Sequence, residues 1–327
     1  MKKQILQSIY SLGGFRPFHF LKRNELLILT YHRFSEEPSP TTVSREELQE
    51  HLSYLKKNTN VVSLDDAVQM ISEESDLPEN PVAITIDDGY RDAYDIAFPL
   101  LGKYKLPATL YVITNFLNRE IWLWTDLMRF IFSTTSKTEF ESDIGNGKFH
   151  VELLDDDSRI DAAALVNSHL KKVSDETKNE AIRQFADDLG VEVPSVPPSG
   201  YEAIDWEQAR EMDRAGLTIE CHTVNHPILT KIPGEELERE LSESKKMISR
   251  ELGRECRHFC YPNGVFDSKI RDAVERAGFE SAVSTRYGFC KPGDDRYQLK
   301  RIDSQPKIAN FAQSVSGFEQ IRENIGI

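Results

Sequence analysis

The chain has 327 residues, enough for one large α/β barrel-like domain or two ordinary domains. Hydrophobic residues make up 39% and charged residues 29%, the balance of an ordinary globular protein. With 40 basic against 54 acidic residues the formal net charge is −14, which argues against a nucleic-acid partner, because phosphate binding needs a basic footprint, and leaves a neutral or cationic carbohydrate open.

Residues 1–24 form a basic and aromatic segment, with Lys2, Lys3, Arg16, Lys22 and Arg23 interleaved with Phe15, Phe18 and Phe20. Its apolar run is broken by Gln7, Ser8, Gly13 and Gly14, too short and polar for a secretory core or a membrane span. It reads as a helix packed on the domain, or as peripheral contact with an anionic membrane surface. The expected location is the cytoplasm, possible association with the inner membrane surface included. Cys221, Cys256, Cys260 and Cys290 are then expected as free thiols.

From Glu25 onward the pattern alternates between strand and helix. "ELLILTYHRF" is a buried strand that delivers Tyr31, His32 and Arg33 at its end. A helix follows with Ser44 as N-cap and Glu47 three residues on. "NPVAITIDDGY" is the clearest strand and ends in Asp87-Asp88-Gly89; a helix and the strand "PATLYVIT" come next. Strand–helix–strand units imply parallel strands, and parallel barrels carry their chemistry at the C-terminal strand ends. After an aromatic helix containing Trp122 and Trp124, the rhythm changes, and about 133–200 reads as a mainly helical insertion packed on the barrel. The rhythm resumes at "DWEQAREMDRAG", then "LTIECHT", "RHFCYPNG", "ESAVST" and "YQLKRID". The expectation is an α/β fold: a distorted (β/α) barrel of about seven parallel strands over residues 25–310, with a tail helix at 311–327.

Three segments thus converge on one face. His222 and His226 supply two imidazoles, and a catalytic metal usually takes three protein ligands and keeps one position for water. Asp87 and Asp88 both qualify as the third ligand. One could bind the metal while its neighbour takes a proton from a water the metal acidifies, the chain bending at Gly89 so that both serve one site. Taken singly, each motif has a blander reading: Asp-Asp-Gly as a turn with a helix cap, and the two histidines as polar loop residues.

Together the motifs resemble those of the nodulation-type polysaccharide deacetylases, carbohydrate esterase family four. "TIDDGYRDAY" is similar to the first signature with its T-F-D-D-G core, "HTVNHP" to H-[ST]-x-x-H-P, and "FCYPNG" to the third. "TYHRF" and "DWEQAREM" are further shared features. The resemblance implies that Asp88, His222 and His226 bind a divalent metal, typically Zn2+. It implies that Asp87 is the catalytic base, with the acetyl group of an N-acetylated sugar in a glycan or glycan precursor as target. Thr223 would orient the histidine loop, and a backbone N–H near Asn263, within Tyr261-Pro262-Asn263-Gly264, would stabilise the oxyanion. Two departures stand out. The third motif has Cys260 where an arginine commonly supports the base, so that support must come from elsewhere. The fifth has Arg301 where the acid histidine is expected, and arginine is a poor proton donor. His32 is the candidate replacement as acid or substrate contact, and Tyr31 the candidate aromatic for the groove. Trp122, Trp124 and Trp206 could stack on sugars or pack internally, and His258 reads as a buried structural histidine. O-acetyl ester or non-sugar amide hydrolysis by the same site, or a catalytically weak sugar-binding relative, are the alternatives. An enzyme of the cytoplasm would meet a nucleotide-linked, lipid-linked or short precursor rather than a finished polymer.

Overall fold

Seven runs of β-favouring residues become strands: β1 (Leu27–Tyr31), β2 (Pro81–Ile86), β3 (Ala108–Val112), β4 (Leu217–Cys221), β5 (His258–Cys260), β6 (Ser281–Tyr287) and β7 (Leu299–Asp303). In the computed structural model, which describes residues 2–39, 41–75, 77–144 and 147–324, each strand pairs in parallel with the next in sequence. β7 returns to β1 through Ile302 opposite Leu29, so the sheet closes. This is the expected seven-stranded parallel barrel.

Because side chains alternate across a strand, each run feeds two cores. Leu27, Leu29, Tyr31, Val82, Ile84 and Ile86 pack into the surrounding helix layer, where Leu48, Leu52 and Leu55 meet them. Ile28, Ala83, Tyr111, Cys260, Val283 and Leu299 fill the barrel interior. The helix Leu64–Ser72 plugs that interior through Leu64, Ala67, Val68 and Ile71. It sits where the strands begin: Asp65 there bonds the imidazole of His258 at 2.6 Å, and the other ring nitrogen faces Ser281 at 2.8 Å. His258 is therefore structural, and the opposite end of the barrel is left for chemistry. Helix starts follow the local sequence. Ser44 and Glu47 form the reciprocal cap foreseen for the helix Arg45–Asn58; Asp205 and Gln208 do the same for Trp206–Arg214.

The insertion has its own apolar core, built from Met128, Phe132, Phe140, Phe149, Val166 and Phe185. Helices Trp124–Thr134, Asp156–Leu170 and Asp175–Asp188 are joined there by an antiparallel hairpin, Glu139–Ile144 with Gly147–Glu152. The sequence reading did not give the hairpin: its inward residues are few and are separated by acidic ones. Trp124 is buried in this core. Trp122 packs on Phe130 and Tyr201, and its indole N–H donates to the Pro194 carbonyl.

The N-terminal helices Lys2–Ser11 and Arg16–Lys22 lie on the domain, with Phe15 buried and Phe18 edge-on to Phe318 at 4.8 Å. Leu12, Phe20 and Leu21 remain exposed. Among the described residues no helix is long and apolar enough to cross a membrane. The tail is two helices, Ile308–Val315 and Phe318–Asn324, not one: Gly317 takes φ +76° between them. Residues 325–327 of the expected tail helix lie outside the described ones. The four cysteines are free and buried.

Candidate active site

Asp87 lies just past the end of β2, in phase with Ala83 and Thr85, and so points into the barrel mouth. Arg301 on β7 enters the same interior in phase with Leu299. The guanidinium holds Asp87 with two parallel bonds of 2.8 and 2.7 Å, and its remaining donors reach Thr85 Oγ1, the Ser284 carbonyl and, at 3.2 Å, Cys260 Sγ. Both partners are 2% exposed. Burial alone would raise the Asp87 carboxyl, but Arg301 outweighs it and holds the group well below the usual carboxylate range. The support for Asp87 therefore comes from β7. A side chain as small as Cys260 leaves room for a guanidinium arriving from that side.

Asp88 turns away at φ +77°, followed by Gly89 at φ +88°. Its Oδ1 lies 3.5 Å from His222 Nε2 and 3.8 Å from His226 Nε2, and the two Nε2 atoms are 3.2 Å apart. A tetrahedral zinc with bonds of about 2.0–2.1 Å sets its ligand atoms about 3.3 Å apart, which this triangle matches. His222 Nδ1 donates to the Cys260 carbonyl at 2.8 Å, so its Nε2 presents a lone pair. Without a cation the facing nitrogens can share at most one proton. Burial lowers His222, but Cys260, Asp88 and Asp87 together raise it well above its ordinary value. His226 is pushed down to about 3 by burial and by His222. The donor set thus fits a divalent ion. Asp87, His222 and Cys260 also lie close together. That second group is a poor set, because both Asp87 oxygens are on Arg301 and burial pushes the Cys260 thiol up.

The histidine loop is held from three sides. His226 N–H donates to Thr223 Oγ1 at 2.9 Å. Thr114 and Asn115 N–H donate to the carbonyls of Thr223 and Val224. Buried Glu240, on the helix Gly234–Leu252, accepts from the N–H groups of Val224 and Asn225 and from the Asn225 amide. Four of the eight non-glycine residues with positive φ among the described residues are Asp88, Thr223, His226 and Asn263. Such backbone costs on the order of 1–3 kcal/mol each and persists only where the surroundings over-determine it. Gly264 is fixed by space: a Cβ there would lie 2.0 Å from Thr285 Oγ1.

These groups open into a cleft of about 550 Å³. His32 lines it, half exposed, with Nε2 3.7 Å from Asp87 Oδ2. Asn263 and Gly264 form one side, and the Asn263 Nδ2 is buried without a partner. Pro262 is buried beside them and shapes the turn. Three expected substrate contacts need correction. Tyr31 shares the strand phase of Leu27 and Leu29; it is buried in the helix layer, stacked on Phe34 and facing His51 Nδ1 at 3.2 Å. Tyr261 borders the cleft, but its ring is stacked on Phe266 and its hydroxyl donates to the Tyr297 carbonyl. Arg301 borders the cleft, but its donors are spent on Asp87 and its neighbours. None of the three tryptophans lines the cleft.

Sequence reasoning missed two contributors. Glu240 falls on the apolar stripe Leu237, Leu241, Ser244 and Ile248, and an acid on a buried stripe was the available signal. The insertion helix Asp156–Leu170 walls the cleft with Ile160, Ala163, Ala164, Asn167 and Ser168, followed by Lys171. Alanines on both of its faces hide any single stripe.

A family model for polysaccharide deacetylase matches residues 74–282. The Bacillus subtilis protein YxkH is 22% identical over 292 residues, 89% of this chain and 75% of that protein. A poly-beta-1,6-N-acetyl-D-glucosamine N-deacetylase of Staphylococcus epidermidis is 30% identical over 110 residues, 29% of this chain and 38% of that one. Among solved structures, the Streptococcus pyogenes deacetylase PplD matches with a TM-score of 0.61 at 17% identity, over 90% of this chain and 99% of that one. IcaB from Ammonifex degensii matches with a TM-score of 0.57 at 21% identity, over 89% and 97%. At these identities the two structures establish the shared barrel fold.

Proposed function

The chain belongs to the polysaccharide deacetylase family, hydrolases of N-acetylated sugars, and on that footing we propose that it cleaves the acetamide of an N-acetylhexosamine unit with a divalent metal, zinc by ligand spacing, held by Asp88, His222 and His226. The observation that carries this reading is the pairing of that ligand triangle with a second, separately supported carboxylate, Asp87, at one barrel mouth. The likeness to a poly-N-acetylglucosamine deacetylase supports N-acetylglucosamine as the sugar.

The bound ion would acidify a water and polarise the acetamide carbonyl. Asp87 takes the proton of that water. Held low by Arg301, it is a weak base, so it serves a water that is already acidified. The oxygen adds to the carbonyl carbon, and the developing oxyanion is met by the backbone N–H at Asn263. His32, in the cleft beside Asp87, delivers a proton to the departing nitrogen; the C–N bond breaks, leaving acetate and an amine. The exposed Leu12, Phe20 and Leu21 beside Arg16 and Arg23 support contact with an anionic membrane surface. Co-sedimentation with anionic vesicles that survives in a Phe20→Ala, Leu21→Ala variant would remove that reading.

Acetate release from N-acetylglucosamine oligomers, with and without chelator, tests the chemistry. Asp87→Asn should lower kcat by about 10²–10⁴ while metal content holds. His222→Ala should lose the metal, and full metal retention there would discard the ligand assignment. His32→Ala with wild-type turnover would discard the proton donor.

A further inference from the structure

A second pocket adjoins the catalytic cleft at the rim of the barrel. It encloses about 450 Å³, within the usual size of a small-ligand site, and shares Thr285 and Arg301 with the cleft. Thr285 is the ridge between the two: Gly264, on the cleft side, lies so close that a Cβ there would meet Thr285 Oγ1 at 2.0 Å.

The strand that reaches this pocket is irregular. On β6, Val283 lies opposite Leu299 and Tyr287 opposite Arg301, so β6 takes four steps where β7 takes two. A bulge of this kind re-aims side chains, and bulges concentrate at barrel rims and beside active sites. Residues 281–284 of β6 are buried, whereas Thr285, Arg286 and Tyr287 are exposed. Arg286 is taken up by Gln298 at 2.7 Å and lies over the Phe266 ring; Thr285 and Tyr287 line the pocket. Among the described residues two large aromatic side chains are exposed: Phe20 on the N-terminal helices, and Tyr287 at 45%. Tyr287 is therefore the exposed aromatic beside the cleft.

The remaining lining is polar. Asp303 and Gln305 follow the end of β7, and Asn310 comes from the helix Ile308–Val315; all three are exposed. Together they offer amide donors and both amide and carboxylate acceptors. Arg301 is the lysine or arginine of this lining among the described residues, and it is buried with its donors on Asp87, Thr85 and Ser284. An aromatic face rimmed by amides and a carboxylate suits a neutral polyhydroxylated ring, apolar on its C–H face and wet at its edge, and does not suit a phosphate.

We propose that this pocket is a second sugar subsite: the unit next to the one being deacetylated lies on the Tyr287 ring, and Asp303, Gln305 and Asn310 bind its hydroxyl groups. This rests on the deacetylase reading and narrows it, because the substrate is then an oligosaccharide with a neutral neighbouring unit rather than a single N-acetylated sugar. A purely structural Tyr287 would affect stability and leave chain-length preference alone, so preference is the deciding readout.

The test uses the metal-loaded full chain with N-acetylglucosamine and its oligomers of two to four units. A stacked ring together with a hydrogen bond is worth roughly tenfold in kcat/KM. Wild type should favour an oligomer over the monomer by about that factor or more. In Tyr287→Ala the oligomer-to-monomer ratio should fall about tenfold, mainly through KM, and Tyr287→Phe should keep it. Should Tyr287→Ala not fold, the double variant Gln305→Ala, Asn310→Ala decides: a fall of about threefold or more supports the subsite, and an unchanged ratio overturns it. A wild-type ratio near one, or a ratio unchanged in folded Tyr287→Ala, overturns the inference while leaving the deacetylase in place. If no substrate releases acetate, the deacetylase reading falls, and calorimetric titration with the four-unit oligomer decides: about tenfold weaker binding by Tyr287→Ala supports the sugar site, and equal affinity or no binding to wild type overturns it.

Discussion

On the barrel side of the cleft, Asp87, Arg301, His222 and Cys260 are each at most 2% exposed, and each has its polar atoms bonded to a named partner. On the insertion side, Ile160, Ala164, Ser168 and Lys171 are exposed, and the Asn167 side-chain Oδ1 has no partner. The four barrel-side groups sit in low dielectric, where electrostatics are strong, and they are fixed before substrate arrives. The insertion side is more open to solvent.

The sharpest way to break this contrast is Arg301→Ala. It leaves the Asp87 carboxylate buried and unpaired, a loss of about 3–5 kcal/mol of stability by denaturant unfolding. Arg301→Lys restores the charge but not the two-pronged bond, and should recover only part. Lys171→Gln, on the other wall, should stay within about 0.5 kcal/mol. Similar losses from both walls would show that the contrast is false.

The helix layer behind the barrel side carries a second dependence. His51 is buried between the Tyr31 hydroxyl and the Pro306 carbonyl and stacked on Phe311 at 3.8 Å, and burial pushes it down to about 4. The folded state then binds fewer protons than the unfolded one between about pH 6.5 and 4. The stabilisation is full above pH 6.5 and is lost as pH falls through that window, up to about 3 kcal/mol. A denaturation series across pH should show this slope, and His51→Phe should flatten it; an equal slope in the variant would assign the effect to other groups.

Glu240→Ala should cost less, about 1–3 kcal/mol, because it strands two backbone N–H groups and the Asn225 amide. The histidine loop should loosen with it, weakening metal binding about 10–100-fold in competition with a chelator. Glu240→Gln, which keeps one acceptor oxygen, belongs between the two. Unchanged metal affinity in Glu240→Ala would separate loop support from metal binding.

Much of this was legible because it is periodic. The strand ends carrying His32, Asp87 and His222 follow from apolar runs and their breaks, and the cap at Ser44 from residue spacing. What was not legible is the pairing across the closed sheet. Nothing local says that Arg301 reaches Asp87, 214 positions away; it follows only once β7 closes on β1. Tyr31 was misplaced for the reverse reason. Its neighbour His32 faces the cleft, and one step along a strand turns a side chain to the other side.

The same distinction between packing and recognition applies to the aromatic residues. Trp122 could have stacked on a sugar; it lies instead against Phe130 and Tyr201 at the root of the insertion, with its N–H on the Pro194 carbonyl. Trp122→Phe keeps the aromatic contact and deletes that single bond, so it should cost about 0.5–1.5 kcal/mol of stability. Because the side chain is absent from the cleft lining, KM for an N-acetylglucosamine oligomer should stay within about twofold of wild type. A larger rise in KM with unchanged stability would move Trp122 into the substrate path and extend the groove past the insertion helix.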